Sequence, residues 1–371
     1  MPATRGGATE RSWHGLARLF AAAGHSVTFI SRRGPGMPAA EVEDGVRHVR
    51  IPGFDHSRRL AANLMMDAVW GLRVRRALPP GDVLVCNTVT LPAWLGRTRH
   101  ACGAVAVMIG RTPRGQVPFY RRVDRIYAPS AAVAQAIGFG WAGARTRVIG
   151  YPIDWGRLAG TAAQCAPPVV IGYVGRLHPE KGVPLLVRAA GRLAGQSGLP
   201  DWRLRLMGPS SVGDGGGGDA WAAALRRDAE AAAGPRVEWR GPEFDPGSLA
   251  RAYGAIDVFC YPSLAQRGET FGVAVAEAMA AKCAVVVSRL GCFRDLVTDG
   301  ETGLVFDHAS ADAERLLAGK LALLVSDARL RADLAARGQR HAARFDFPAV
   351  AENLLNDFML LTGSAAQGRQ S

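Results

Sequence analysis

The chain has 371 residues, 48% of them hydrophobic, and a formal net charge of +13; this length and composition predict about two domains with sizeable cores. No apolar run reaches the about 18 residues of a transmembrane helix. Cys86, Cys102, Cys165, Cys260, Cys283 and Cys292 form no Cys-x2-Cys pair, which argues against a cysteine zinc motif or a disulfide framework and predicts reduced thiols in a cytoplasmic protein.

The first residues carry Arg5, Glu10 and Arg11 and no long apolar stretch, unlike a signal peptide. Gly6 and Gly7 read as a Gly-rich loop or an ordinary turn before a helix over Trp13–Ala23. Short apolar runs at 27–31, 83–86, 104–108, 125–128 and 147–149 predict the strands of a parallel sheet covered on both faces. No strand precedes Gly6, so this sheet is expected to lack its first strand, as a truncated or misassigned start would leave it. Residues 116–123 mix Phe119 and Tyr120 with Arg121 and Arg122, which fits a partly buried helix with solvated arginines or a membrane contact.

Tyr151-Pro152-Ile153-Asp154 and an Ala- and Gly-rich stretch up to Pro167-Pro168 mark a boundary between domains at 1–160 and 166–345. The alternation then restarts, with strands at 169–174, 203–207, 237–239, 258–260 and 284–287. Helices are expected at 185–194 and 249–256. Gly213-Asp214-Gly215-Gly216-Gly217-Gly218 reads as a flexible surface loop, or as a phosphate cradle lacking the P-loop lysine. A last helix over 350–361, in a segment 346–362, precedes a tail 363–371 expected to be disordered.

The most informative stretch is Gly268-Glu269-Thr270-Phe271-Gly272-Val273-Ala274-Val275-Ala276-Glu277-Ala278-Met279-Ala280. Eight helical positions turn about 800°, so Glu269 and Glu277 cannot share a face of one helix. The glycines suggest that a loop carries Glu269 and that a helix starts near Gly272. Its free backbone N–H groups then make a phosphate site. Gly272 to Glu277 spans about 7.5 Å of rise, which would put ribose hydroxyls near Glu277 and a sugar near Glu269. An acidic loop before a core helix is the plainer reading. Gly175-Arg176-Leu177-His178-Pro179-Glu180-Lys181-Gly182 also joins a strand to a helix. Arg176 can fork across phosphate oxygens, and Lys181 supplies a compact charge.

Glu269 to Glu277 resembles the E-x7-E signature of retaining GT-B glycosyltransferases of family 4. Tyr261-Pro262-Ser263, Glu277-Ala278-Met279-Ala280, Gly300-Glu301-Thr302-Gly303-Leu304 and Gly175 to Gly182 resemble other elements of that family. The resemblance implies an α/β fold of two doubly wound Rossmann-like domains facing a central cleft, with a C-terminal helix crossing back to the first domain. It implies that Arg176 and Lys181 bind the donor diphosphate and that Glu269 touches the donor sugar or the anomeric carbon. It also implies that Glu277 holds the ribose, and that Gly175, the Gly6-Gly7 loop and backbone N–H groups near Phe271, Gly272 and Val273 contact the donor. Glu269, Arg176 and Lys181 are the expected catalytic residues. Many members carry a histidine after the strand at 104–109; here the loop reads Gly110-Arg111-Thr112, and Arg111 is the substitute expected on the acceptor side. With no Asp-x-Asp triplet, neither a metal nor another cofactor is expected.

The activity so implied is hexosyl transfer from a UDP- or GDP-linked sugar to a saccharide or lipid-linked acceptor, in assembly of a bacterial surface polysaccharide or glycolipid. A small natural-product acceptor and a sugar-nucleotide binder without turnover are alternatives. A Rossmann oxidoreductase would need a G-x-G-x-x-G turn after a strand, and none occurs. Lys181, Lys282 and Lys320 are the only lysines. The arginine excess fits a GC-rich genome, or attraction to an anionic membrane at the cytoplasmic face. The arginines are dispersed without a nucleic-acid motif, so no nucleic-acid partner is expected.

Overall fold

A computed structural model describes residues 8–54, 59–95, 102–161 and 167–367. Gly6, Gly7 and Cys165 lie outside the described residues. The chain divides into two compact units, one of residues 1–152 with 347–371 and one of residues 153–346.

The first unit opens with helix α1 (Ala8–Ala22), whose Trp13, Leu16, Ala17 and Phe20 are buried. Strands β1 (Val27–Arg32), β2 (Ala40–Glu43) and β3 (Val46–Ile51) form a sheet in the order β1-β3-β2. β1 and β3 are parallel, whereas β2 returns antiparallel to β3 through a turn at Asp44 and Gly45, both at positive φ. Helices α2 (Leu60–Ala77) and α3 (Leu91–Leu95) flank β4 (Gly81–Cys86). β5 (Cys102–Met108), β6 (Arg125–Ala128), α4 (Ala131–Ile137), α5 (Trp141–Arg145) and β7 (Thr146–Val148) follow. β4 to β7 make a second, all-parallel sheet in chain order.

The single sheet expected in this half is therefore two sheets. β1 pairs with β3 and β4 pairs with β5, and no ladder joins β1 to β4 among the described residues. Residues 117–120 form one 3-10 turn that buries Val117 and Tyr120 and leaves Phe119 exposed. The Tyr120 hydroxyl donates to the Val89 carbonyl at 2.8 Å, which holds this turn to the unit and accounts for the burial of Tyr120.

The second unit begins with α6 (Trp155–Ala159). Asp154 caps this helix, and its Trp155 donates to Asp346 and Gln339. Those contacts assign 153–159 to the second unit, so the division falls earlier than the sequence suggests. β8 (Val169–Val174), α7 (Val183–Ala194), β9 (Trp202–Met207), α8 (Asp219–Ala233), β10 (Val237–Arg240), α9 (Pro246–Gly254) and β11 (Val258–Tyr261) follow. α10 (Val273–Ala280), β12 (Ala284–Ser288), β13 (Leu304–Phe306), α11 (Ala313–Ser326) and α12 (Ala328–Ala342) complete the unit. Its six strands are all parallel, in the order β10-β9-β8-β11-β12-β13. Every residue of β8, β11 and β12 is buried, as strands covered on both faces must be.

This order reverses direction between β8 and β11. In doubly wound sheets the crevice at the carboxyl ends of the strands beside such a reversal binds ligands. The fold thus marks the loops after β8 and β11 as the place to look for a site.

Helix α13 (Phe347–Gln367) belongs to the first unit and runs past Thr362, where the sequence predicts that order ends. Asp357 anchors it: one carboxylate oxygen accepts from Arg125 Nε at 2.8 Å and from the Tyr127 hydroxyl at 2.7 Å. Phe358 packs edge-on against Phe20 and Tyr127.

Candidate active site

After β8 the chain turns at Gly175 and runs through Arg176 into a 3-10 turn over Pro179–Lys181. Gly182 then caps α7 at φ 69°, with its Cα so close to the strand β11 loop that a Cβ would sit 1.9 Å from the Pro262 carbonyl. Only glycine permits both the left-handed backbone and that approach. The Leu264 N–H donates to the Glu180 carbonyl at 2.8 Å, so the loops after β8 and β11 are laced together.

At this junction Lys181 is buried, and its Nζ donates to Glu269 Oε2 at 2.7 Å. The same oxygen accepts from Ser263 Oγ at 3.1 Å. Lys181 Nζ also lies 5.7 Å from the Tyr261 ring centroid, within range of a cation–π contact. Tyr261 stacks on Tyr173 with centroids 5.7 Å apart. Burial, then the nearby Glu269 carboxylate, pushes both phenols well above their ordinary range, so neither carries charge at neutral pH. They form a rigid apolar floor under the ion pair.

Arg176 is more exposed. Its guanidinium donates to the Gly215 carbonyl at 2.6 Å and to Glu180 Oε1 at 2.9 Å. Gly215 belongs to the glycine run that the sequence suggests is a flexible loop. Instead, Gly216 and Gly218 donate to the Ser211 and Ser210 carbonyls, and Gly217 donates to Leu177. Backbone hydrogen bonding holds this run against the Arg176 segment; the P-loop lysine is absent. His178 is a local cap, its Nδ1 accepting from the Glu180 N–H.

Gly272 starts α10 at φ 96°, and a Cβ there would lie 2.6 Å from Phe293. No side chain caps this helix. Val275 and Ala276 donate back to the Gly272 carbonyl, whereas the N–H groups of Val273 and Ala274 stand in the first turn, where helices have no internal acceptor. Phe271 is buried edge-on against Phe345 with centroids 5.0 Å apart, so it offers a ligand backbone and not its ring. Glu277 lies one turn into α10, where its Oε2 accepts from the Tyr253 hydroxyl at 2.9 Å. The predicted residues Gly175, Arg176, Lys181, Glu269, Phe271, Gly272, Val273 and Glu277 all lie in the second unit. Arg111 lies exposed in the first unit. Tyr253, Tyr261, Ser263 and Glu180 carry no predicted role in the sequence, although Tyr261 and Ser263 sit in a recognisable Tyr-Pro-Ser string.

Two family profiles match this chain. One, described as Glycosyl transferases group 1, covers residues 168–327, and the other, described as Glycosyltransferase Family 4, covers residues 6–157. The chain belongs to the family 4-like GT-B glycosyltransferases. Among its relatives, a D-inositol 3-phosphate glycosyltransferase of Stackebrandtia nassauensis is 36% identical, over 54% of this chain and 43% of its own length. A phosphatidyl-myo-inositol mannosyltransferase of Mycolicibacterium smegmatis is 30% identical, over 52% of this chain and 45% of its own. The chain thus matches less than half the length of these relatives. Among solved structures, a sucrose-phosphate synthase of Thermosynechococcus elongatus superposes with a TM-score of 0.75 at 20% identity, covering 97% of this chain and 94% of that one. An Anabaena protein in complex with UDP and glucose gives 0.69 at 17%, covering 95% and 96%. Both likenesses concern the fold. No helix among the described residues is long and apolar enough to cross a membrane.

Proposed function

We propose that the second unit binds a nucleoside-diphosphate sugar at its strand reversal. The chain then transfers the hexosyl group, with retention of configuration, to a hydroxyl of a saccharide or lipid-linked acceptor. The observation that carries this reading is the meeting of Lys181 and Glu269 beside the uncapped start of α10, at the carboxyl ends of β8 and β11.

In this reading the diphosphate lies across the first N–H groups of α10, favoured by the helix dipole. Arg176 and Lys181 stabilise the charge that develops as the bond from the anomeric carbon to phosphate oxygen breaks. The two cations supply that charge from the protein, so no divalent metal is assigned to the diphosphate. Glu277, held by Tyr253, receives the ribose hydroxyls. The acceptor oxygen bonds to the anomeric carbon from the face the phosphate leaves, and its proton passes to that phosphate. Glu269 faces the sugar, and its carboxylate favours positive charge at the anomeric carbon. Lys181 pairs with Glu269 and Arg176 with Glu180, and in this reading the phosphate oxygens compete with those carboxylates for both cations.

A UDP- or GDP-sugar is the proposed donor, and the neighbour in complex with UDP and glucose supports a nucleotide sugar. Two relatives named for inositol phosphate or phosphatidylinositol acceptors support an acceptor bearing a phosphorylated polyol. The net charge of +13 favours such an acceptor, as it does contact with an anionic membrane at the cytoplasmic face. Assembly of a surface glycolipid or polysaccharide is the corresponding role. Calorimetric titration with UDP, GDP and ADP tests the donor site. Micromolar binding of one nucleotide, weakened at least about tenfold (about 1.4 kcal/mol) in both Arg176→Ala and Glu277→Ala, is expected. Equal affinity in all three proteins would overturn the assignment.

A further inference from the structure

A second cluster lies in the first unit, on residues with no place in donor binding. His14 on α1, Glu43 on β2 and His48 on β3 each offer one ligand atom, and these three atoms lie within 4.8 Å of one another. The sheet register explains the meeting. Glu41 faces His48 and Glu43 faces Val46 across the β2–β3 ladder. Side chains two apart share a face, so Glu41, Glu43, His48 and Arg50 lie on one side of the hairpin. Arg50 pairs with Glu41, and among the described residues Glu43 has no ion pair. The His14 ring lies against that of His48, centroids 5.5 Å apart, and Phe29 packs against both.

His48 is 4% exposed, and its Nε2 is buried without a hydrogen-bond partner. Buried side-chain nitrogens are nearly always satisfied, and an orphan beside two other potential ligand atoms is accounted for by a bound ion or water. A tetrahedral zinc ion holds imidazole nitrogen and carboxylate oxygen at about 2.0–2.2 Å, which separates neighbouring ligand atoms by about 3.4 Å. The three ligand atoms, within 4.8 Å of one another, must draw in by up to about 1.4 Å to reach that size.

We infer that His14, Glu43 and His48 form a binding site for a divalent cation of the zinc class, tying α1 to the β2–β3 hairpin. Two imidazoles and a carboxylate suit Zn²⁺ or Co²⁺ over Mg²⁺ or Ca²⁺, which prefer all-oxygen sets. Three protein ligands leave a position for water. The ligands come from three elements, so the ion would order the start of the first unit.

The test uses the full chain without a polyhistidine tag, stripped by chelator and desalted, then titrated with Zn²⁺ by calorimetry and Co²⁺ by visible absorption. One equivalent should bind, and Co²⁺ should give the d–d bands of a low-coordinate site without a thiolate charge-transfer band. His14→Ala, Glu43→Gln and His48→Ala should each weaken binding at least about tenfold. His25→Ala, at an exposed histidine, should bind as the parent does. Glu43 is exposed, so Glu43→Gln keeps the fold and decides the matter even if the His48 variant unfolds. Absence of saturable binding, parental affinity in Glu43→Gln, a thiolate band, or an equal loss in His25→Ala would overturn the proposal.

Discussion

Lys181→Met tests the buried ion pair at the candidate site through stability. The Lys181 and Glu269 side chains are 7% and 11% exposed, so neither charge has much water to fall back on. Methionine keeps the apolar stem and removes the ammonium, leaving Glu269 with the Ser263 and Tyr261 hydroxyls. Removing one partner of a buried pair costs about 3–5 kcal/mol; Ser263 and the residual exposure put this case near about 3. Glu269→Gln strands the ammonium but still offers it an amide oxygen, so its cost is about 2 kcal/mol. The double variant is uncharged and similar in volume, and should lose about 2–3 kcal/mol rather than the sum. The coupling is then about 2–3 kcal/mol, the size expected for residues in direct contact. Denaturant unfolding of the four proteins measures it. A coupling within about 0.5 kcal/mol of zero, or a Lys181→Met cost below about 1 kcal/mol as for a surface pair, would show that Lys181 and Glu269 do not form a buried ion pair.

Three further outcomes follow from the packing. Gly272→Ala forces a side chain into the left-handed region and against Phe293, so thermal unfolding should show a loss of about 2–4 kcal/mol. Glu238 is partly buried, which disfavours its charge, but hydrogen bonds and charge from Arg205 and Arg203 win and lower its pKa. A depressed carboxylate stabilises the fold above its unfolded pKa and loses that contribution as pH falls through the folded one. Glu238→Gln should therefore cost about 1 kcal/mol near pH 7, and that cost should shrink progressively as pH falls below the ordinary glutamate range of about 4.3, read from unfolding midpoints across pH. Asp357→Asn weakens the hold on Arg125 and Tyr127, whose anchoring of α13 is nearly buried, at 11% and 13% exposure for the ion pair. It should cost about 3 kcal/mol and speed amide exchange along α13, leaving β8 to β12 protected; unchanged exchange would count against the anchor.

The parts of the fold legible in the sequence are those with a strong local pattern. β8, β11 and β12 are unbroken apolar runs because both their faces are covered. The glycines around Glu269 mark the start of α10 because a left-handed cap is a local requirement. The β2–β3 hairpin is illegible because Glu41, Glu43, Arg47 and Arg50 mask its alternation, and three of the four β2 residues are exposed. Helix α2 carries exposed Leu64, Met65, Val69 and Leu72, so no stripe marks its inner face. α8 and α12 bury mostly alanine and glycine, a weak signal.

At the site, Glu269, Glu277, Arg176 and Lys181 stand out by spacing, whereas their partners do not. Tyr253 reaches Glu277 from the helix before β11, and Gly215 reaches Arg176 from a glycine run that reads as a bare loop. His14, Glu43 and His48 share no local motif, and only the hairpin register brings them together. Contacts of this kind depend on the tertiary arrangement and leave no periodic trace.

In the proposed function the second unit activates a nucleoside-diphosphate sugar for transfer with retention. The most direct measurement incubates the folded chain with the donor whose nucleotide binds and with phosphorylated inositol acceptors, and reads the product by NMR. The product should be a glycoside with the donor's anomeric configuration, formed by the parent and lost in Arg176→Ala. An inverted product, or donor binding with neither transfer nor donor hydrolysis, would contradict that function.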